Sequence, residues 1–90
     1  MNQRIEINKN EKLECDIASF KNTTCKLDSG FHLKNFNIAF KTFGKLNVDR
    51  NNAILICHAL TGDQYVSGVN PITKKNGWWS RMVGPNKPID

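Results

Sequence analysis

A chain of 90 residues with 13 basic and 8 acidic side chains, a net charge of +5 and 39% apolar residues has room for one small domain and excludes a multidomain machine. At this size folding removes only about 60 to 65% of the unfolded surface from water, so stability is marginal even with every apolar residue well placed. The Lys and Arg are scattered almost singly, with Lys74-Lys75 the one adjacent pair, so the positive charge draws no stripe for nucleic acid.

No apolar run reaches the 18 or so residues that a spanning helix needs, and Met1–Ile7 has no long apolar segment or small-residue cleavage site. The expectation is a cytoplasmic protein with no membrane and no nucleic acid among its partners. Cys15, Cys25 and Cys57 make an odd count without a Cys-x-x-Cys pair, which argues for three reduced thiols, no disulfide framework, and no metal or cofactor site.

Residues 1–18 read as a polar N-terminal arm in which Ile5 and Ile7 alternate and can contribute a short strand; residues 19–90 read as a partial domain. Phe20–Leu27 is strand-like and ends at the turn signal Asp28-Ser29-Gly30. From Phe36 to Phe43 apolar residues recur with a period near two, which predicts a second strand joined to the first by a hairpin through Ser29–Leu33. Gly44–Asn52, rich in Asn and Asp, is a surface connection. Ala53-Ile54-Leu55-Ile56-Cys57 is an unbroken apolar run, the pattern of a strand covered on both faces in a parallel sheet. Beyond it Gly and Pro punctuate a long loop region, relieved by a helical turn or two over Trp78–Val83. Lys87 lacks any Gly-x-x-x-x-Gly-Lys spacing and reads as structural.

The stretch His58-Ala59-Leu60-Thr61-Gly62-Asp63 follows the apolar run directly. A sharp loop after a buried parallel strand is where α/β enzymes aim backbone N–H groups at ligands. An ordinary strand exit with a satisfied histidine gives the same pattern, so His58 stands open between the two readings. Trp78 and Trp79 read as packing anchors rather than substrate stackers.

Asn52–Asp63 closely resembles a segment of the homoserine O-acetyltransferase family. Three more blocks agree in order: Leu27-Asp28-Ser29-Gly30 with Leu33, Ile38–Asn47, and Gly77-Trp78-Trp79 followed by Gly84–Asp90, where the family usually has Gly at the position of Asn86. The resemblance implies an α/β-hydrolase fold that transfers an acetyl group from acetyl-CoA to homoserine, in methionine biosynthesis, through an acyl-enzyme and a Ser, Asp and His triad. It also implies an oxyanion hole whose second N–H comes from the loop after the third strand. By position that donor is Leu60, with His58, Ala59, Thr61 and Gly62 shaping the turn.

A nucleophile elbow reads Gly-x-Ser-x-Gly, and Ser19, Ser29, Ser67 and Ser80 all lack those flanks. The triad positions of the family fall after Asp90, so the resemblance covers the N-terminal strands of an α/β-hydrolase fold, a hairpin plus third strand and oxyanion loop in an incomplete sheet. In that sheet the strand order begins one, two, four, three, so the third strand lacks its neighbour here. The expectation is a truncated, pseudogene-like fragment that folds poorly and is inactive alone. Its rivals are one half of a split acyltransferase, completed by a separately encoded C-terminal fragment, and a small non-catalytic interaction protein using an open sheet edge.

Overall fold

The computed structural model describes residues 4–90, which form five strands; among these residues there is no helix. They divide into two compact units, one ending at Phe40 and one running Lys41–Asp90. Met1, Asn2 and Gln3 of the expected arm lie outside the described residues.

In the first unit, β1 (Arg4–Asn10) and β2 (Cys15–Lys21) form an antiparallel hairpin in full register, from Arg4 opposite Lys21 to Asn10 opposite Cys15. Residues 4–18 of the expected arm are therefore two strands and the turn between them, and the boundary expected between residues 18 and 19 falls inside β2. The turn Glu11–Glu14 has no Gly or Pro to announce it. It closes because the Asn10 side chain accepts the Leu13 N–H at 2.9 Å, the Glu14 N–H reaches the Glu11 carbonyl at 3.3 Å, and Glu14 adopts a φ of 51°.

On its other edge β2 pairs with β5 (Asn37–Phe40), Ala18 lying between Ile7 and Ile38, so the sheet order is β1-β2-β5. Cys15 and Ala18 of the central strand are the buried apolar residues of this unit. Phe20 stacks on Phe36 with ring centroids 4.8 Å apart.

The predicted strand Phe20–Leu27 is broken into the end of β2 and a separate β3 (Thr24–Lys26), which pairs with β4 (His32–Lys34). A hairpin does form, with Gly30 N–H to the Leu27 carbonyl and Leu27 N–H to the Phe31 carbonyl, both at 2.9 Å. Its second strand, however, is β4, which begins inside the expected Ser29–Leu33 connection, and of the strand predicted over Phe36–Phe43 only β5 is formed, paired with β2. The break comes from two asparagines in the left-handed region, Asn22 at φ 55° and Asn35 at φ 50°, a conformation that asparagine tolerates. The Asn35 side chain accepts the Asn22 N–H at 2.9 Å, so the interrupted ladder stays hydrogen-bonded.

In the second unit irregular backbone is held by turn and cross-chain bonds. Residues 66–79 form a distorted hairpin through Trp79 N–H to Val66 carbonyl (2.8 Å), Gly77 N–H to Gly68 carbonyl (2.7 Å) and Asn70 N–H to Lys75 carbonyl (2.9 Å). Gly77 lies so close to the facing chain that an added Cβ would meet Ser67 N at 2.4 Å. Asn70, buried at the tip, accepts the N–H groups of Ile72 (2.8 Å) and Thr73 (3.2 Å). Tyr65, Val66 and Val83 are this unit's buried apolar residues, and Lys41 Nζ sits 5.6 Å from the Tyr65 ring centroid. The helical turn predicted over Trp78–Val83 is seen as the bonds of Met82 N–H (2.9 Å) and Val83 N–H (3.2 Å) to the Trp79 carbonyl.

The sequence reading is corrected most at Ala53–Cys57. The expected third strand is not formed, and Ile54 and Leu55 stand 66% and 88% exposed. A strand needs a neighbour to take its N–H and C=O groups, and the described residues offer this run none. The described residues thus build an all-strand architecture of two small antiparallel sheets, consistent with part of an α/β fold.

Candidate functional site

The loop after the apolar run folds locally. The Gly62 N–H donates to the Ala59 carbonyl at 2.8 Å, closing a four-residue turn with Leu60 and Thr61 at its centre. Such a turn uses the carbonyl of its first residue and the N–H of its last, so the N–H of its second residue points away unclaimed. That residue is Leu60, whose N–H has no hydrogen-bond partner among the described residues and whose side chain is 99% exposed.

His58 fastens the turn from its entry side. Its Nδ1 lies 2.6 Å from the Ala59 carbonyl oxygen. A carbonyl can only accept, so Nδ1 is the donor in this contact. The Ala59 oxygen thus receives both the His58 ring and the Gly62 amide. Gly62 is confined by the same packing, for a Cβ there would come within 2.9 Å of His58 Cβ and 3.3 Å of the Ala59 oxygen. Of the five predicted site residues, Ala59, Leu60, Thr61 and Gly62 make the turn and His58 braces it.

The exit of the loop is fixed by Asp63, Tyr65 and Trp78, of which the sequence marks Trp78 only as a packing anchor. The Asp63 carboxylate accepts the Tyr65 N–H at 2.9 Å, and the Asp63 carbonyl accepts the Trp78 indole N–H at 2.9 Å. An Asp two residues before an amide is a readable turn signal. The Trp78 bond spans 15 residues and has no local signature.

Among the described residues no three His, Cys, Asp or Glu side chains gather to hold a metal ion. Cys15 is buried, Cys25 and Cys57 are exposed, and all three are free thiols. A shallow depression on the β3–β4 hairpin is lined by Thr24, Lys26, His32 and Lys34 and includes none of the predicted site residues. No helix among the described residues is long and apolar enough to cross a membrane.

A turn presenting a free backbone N–H is a feature of acyl-transfer sites, and the proteins this chain resembles are acyltransferases. It is 57% identical over 65 residues to the homoserine O-acetyltransferase of Rhodopseudomonas palustris and 62% identical over 65 residues to that of Pelagibacter ubique. With that of Gluconobacter oxydans it shares 53% identity over 81 residues. These matches cover 72%, 72% and 83% of this chain but 16%, 18% and 20% of the relatives, so the chain spans about a fifth of their length or less. Over this segment the chain is similar to homoserine O-acetyltransferases at 53% to 62% identity. A 65-residue match within 90 residues necessarily includes residues 26–65, and with them the whole turn. No family model matches the chain, and no solved structure matches it.

Proposed function

We propose that the His58–Gly62 turn supplies one of the two backbone donors of an oxyanion hole in a homoserine O-acetyltransferase. The observation that carries this reading is the identity shared with those enzymes over a segment that includes the turn. The unclaimed Leu60 N–H supports it, because a donor already committed inside the fold has nothing left for a reacting oxygen.

In the proposed reaction a serine attacks the acetyl carbonyl of acetyl-CoA, and the carbonyl oxygen becomes an oxyanion as the tetrahedral intermediate forms. The Leu60 N–H and the N–H after the nucleophile donate to that oxygen. CoA leaves as its thiol, the homoserine hydroxyl then takes the acetyl group, and the serine is released. One such donor contributes on the order of 3 kcal/mol to the transition state.

The 90 residues hold no Gly-x-Ser-x-Gly, so within this proposal the nucleophile and the rest of the triad come from other parts of the fold, contiguous or separate. Ala53–Cys57 then serves as the third strand of an α/β-hydrolase sheet, with its exposed apolar faces and unpaired backbone satisfied only once neighbouring strands are present.

The test is a graft in which residues 26–65 of this chain replace the matching segment of the Pelagibacter ubique relative. Homoserine-dependent release of CoA from acetyl-CoA is expected from the graft and none from the 90-residue chain by itself. A correctly folded but inactive graft, or turnover by the isolated chain, contradicts the proposal.

A further inference from the structure

We infer that Trp78 is a positioning residue for the Ala59–Gly62 turn, acting through the Asp63 carbonyl; its catalytic meaning rests on the oxyanion reading above. The turn has two connections to the rest of its unit. On the entry side, no backbone hydrogen bond among the described residues holds residues 53–57. On the exit side, three hydrogen bonds tie Asp63, Tyr65 and Trp78 together. The Asp63 carbonyl takes the Trp78 indole N–H at 2.9 Å, the Asp63 carboxylate takes the Tyr65 N–H at 2.9 Å, and the Tyr65 carbonyl takes the Trp78 backbone N–H at 3.2 Å. Tyr65 is buried, so this grip anchors the exit to the packed part of the unit.

The chemistry of the side chain singles out the indole donor. Trp78 is 46% exposed, whereas a ring selected for burial would be turned inward. The ring stacks on the adjacent Trp79, with centroids 5.9 Å apart and planes at 12°. An indole Nε1–H is a donor only, and here its acceptor is the Asp63 carbonyl. Phenylalanine would keep the flat ring and the stack while removing the one bond that reaches the loop.

The turn's mobility is then set by Trp78, and amide exchange in the 90-residue chain reads it directly. In Trp78→Phe the Gly62 amide, bonded only within the turn, is expected to exchange about five- to tenfold faster, while the Gly77 and Met82 amides keep their rates. Trp79→Phe leaves Gly62 unchanged. In the unsubstituted chain the Trp78 indole proton exchanges with water more slowly than that of Trp79, a measurement that stands even if Trp78→Phe does not fold. An unchanged Gly62 rate in Trp78→Phe, a uniform acceleration of all three amides, or equal exchange of the two indole protons overturns the inference. None of these readouts involves catalysis, so failure of the oxyanion reading would show in the graft and leave them untouched.

Discussion

The strand β2 and the run Ala53–Cys57 are both short, and the second is the more apolar. Yet Ala18 at the middle of β2 is buried between Ile7 and Ile38, while Leu55 at the middle of the other is 88% exposed. The difference is partners. β2 is paired along its whole length with β1 and over Asp16–Ser19 with β5, whereas Ala53–Cys57 has no strand neighbour among the described residues. Hydrophobic content marks a segment for burial, and only pairing makes it a strand.

Proline separates the two segments most sharply. Ala18→Pro removes a ladder hydrogen bond from the central strand and is expected to cost about 3 kcal/mol, enough to strip exchange protection from β1, β2 and β5. Leu55→Pro removes an N–H that nothing accepts and is expected to stay within about 0.5 kcal/mol. Amide exchange of the two variants measures both, and equal losses would erase the comparison.

Gly77→Ala extends it to the second unit, where close backbone approach takes the place of a regular ladder. The new Cβ would collide with the backbone of Val66 and Ser67 at 2.4 to 2.5 Å. A loss of about 2 kcal/mol is expected for Lys41–Asp90, read from the Met82 and Val83 amides, with the β1–β2 amides unaffected.

These effects also mark what the sequence could announce. The alternation around β5 was legible because period two survives in Phe36, Ile38 and Phe40. The β1–β2 hairpin was not, because Glu11-Lys12-Leu13-Glu14 carries no Gly or Pro and is closed by the side chain of Asn10. The split between β2 and β3 had a faint signal in Asn22 and Asn35, residues that accept a positive φ, but either could equally lie in an ordinary turn. The candidate turn was legible as a place, since Gly62 punctuates it. Its bracing by His58 and Trp78 was not, because side-chain hydrogen bonds to carbonyls leave no pattern in spacing.

A smaller effect is expected at Asn86, whose φ of 62° lies in the left-handed region that favours glycine. Asn86→Ala should lower the stability of the second unit by about 1 kcal/mol, and Asn86→Gly should leave it unchanged or slightly raised, both by chemical denaturation.

The smallest concerns the surface of β1. The Glu6 carboxylate receives a hydrogen bond from Lys21 at 3.0 Å, with the Lys21 charge and then that of Arg4 adding attraction, so its pKa lies below the ordinary glutamate value. A folded-state pKa below the unfolded one contributes stability that is present above the unfolded value and is lost as pH falls through the folded one. The hairpin should therefore weaken slightly as pH falls below about 4.3. Glu6→Gln should remove that increment, and high salt should diminish it, in a denaturation midpoint followed against pH.

The central claim is that the Leu60 N–H, and not its side chain, is what the turn offers to chemistry. In the active graft, Leu60→Pro deletes that one hydrogen at the second position of a turn, where proline is well tolerated. Homoserine-dependent CoA release is expected to fall in kcat by about 10²- to 10³-fold with little change in KM, while Leu60→Ala stays within a few-fold of the unsubstituted graft. A Leu60→Pro graft that turns over as fast as Leu60→Ala would contradict the account.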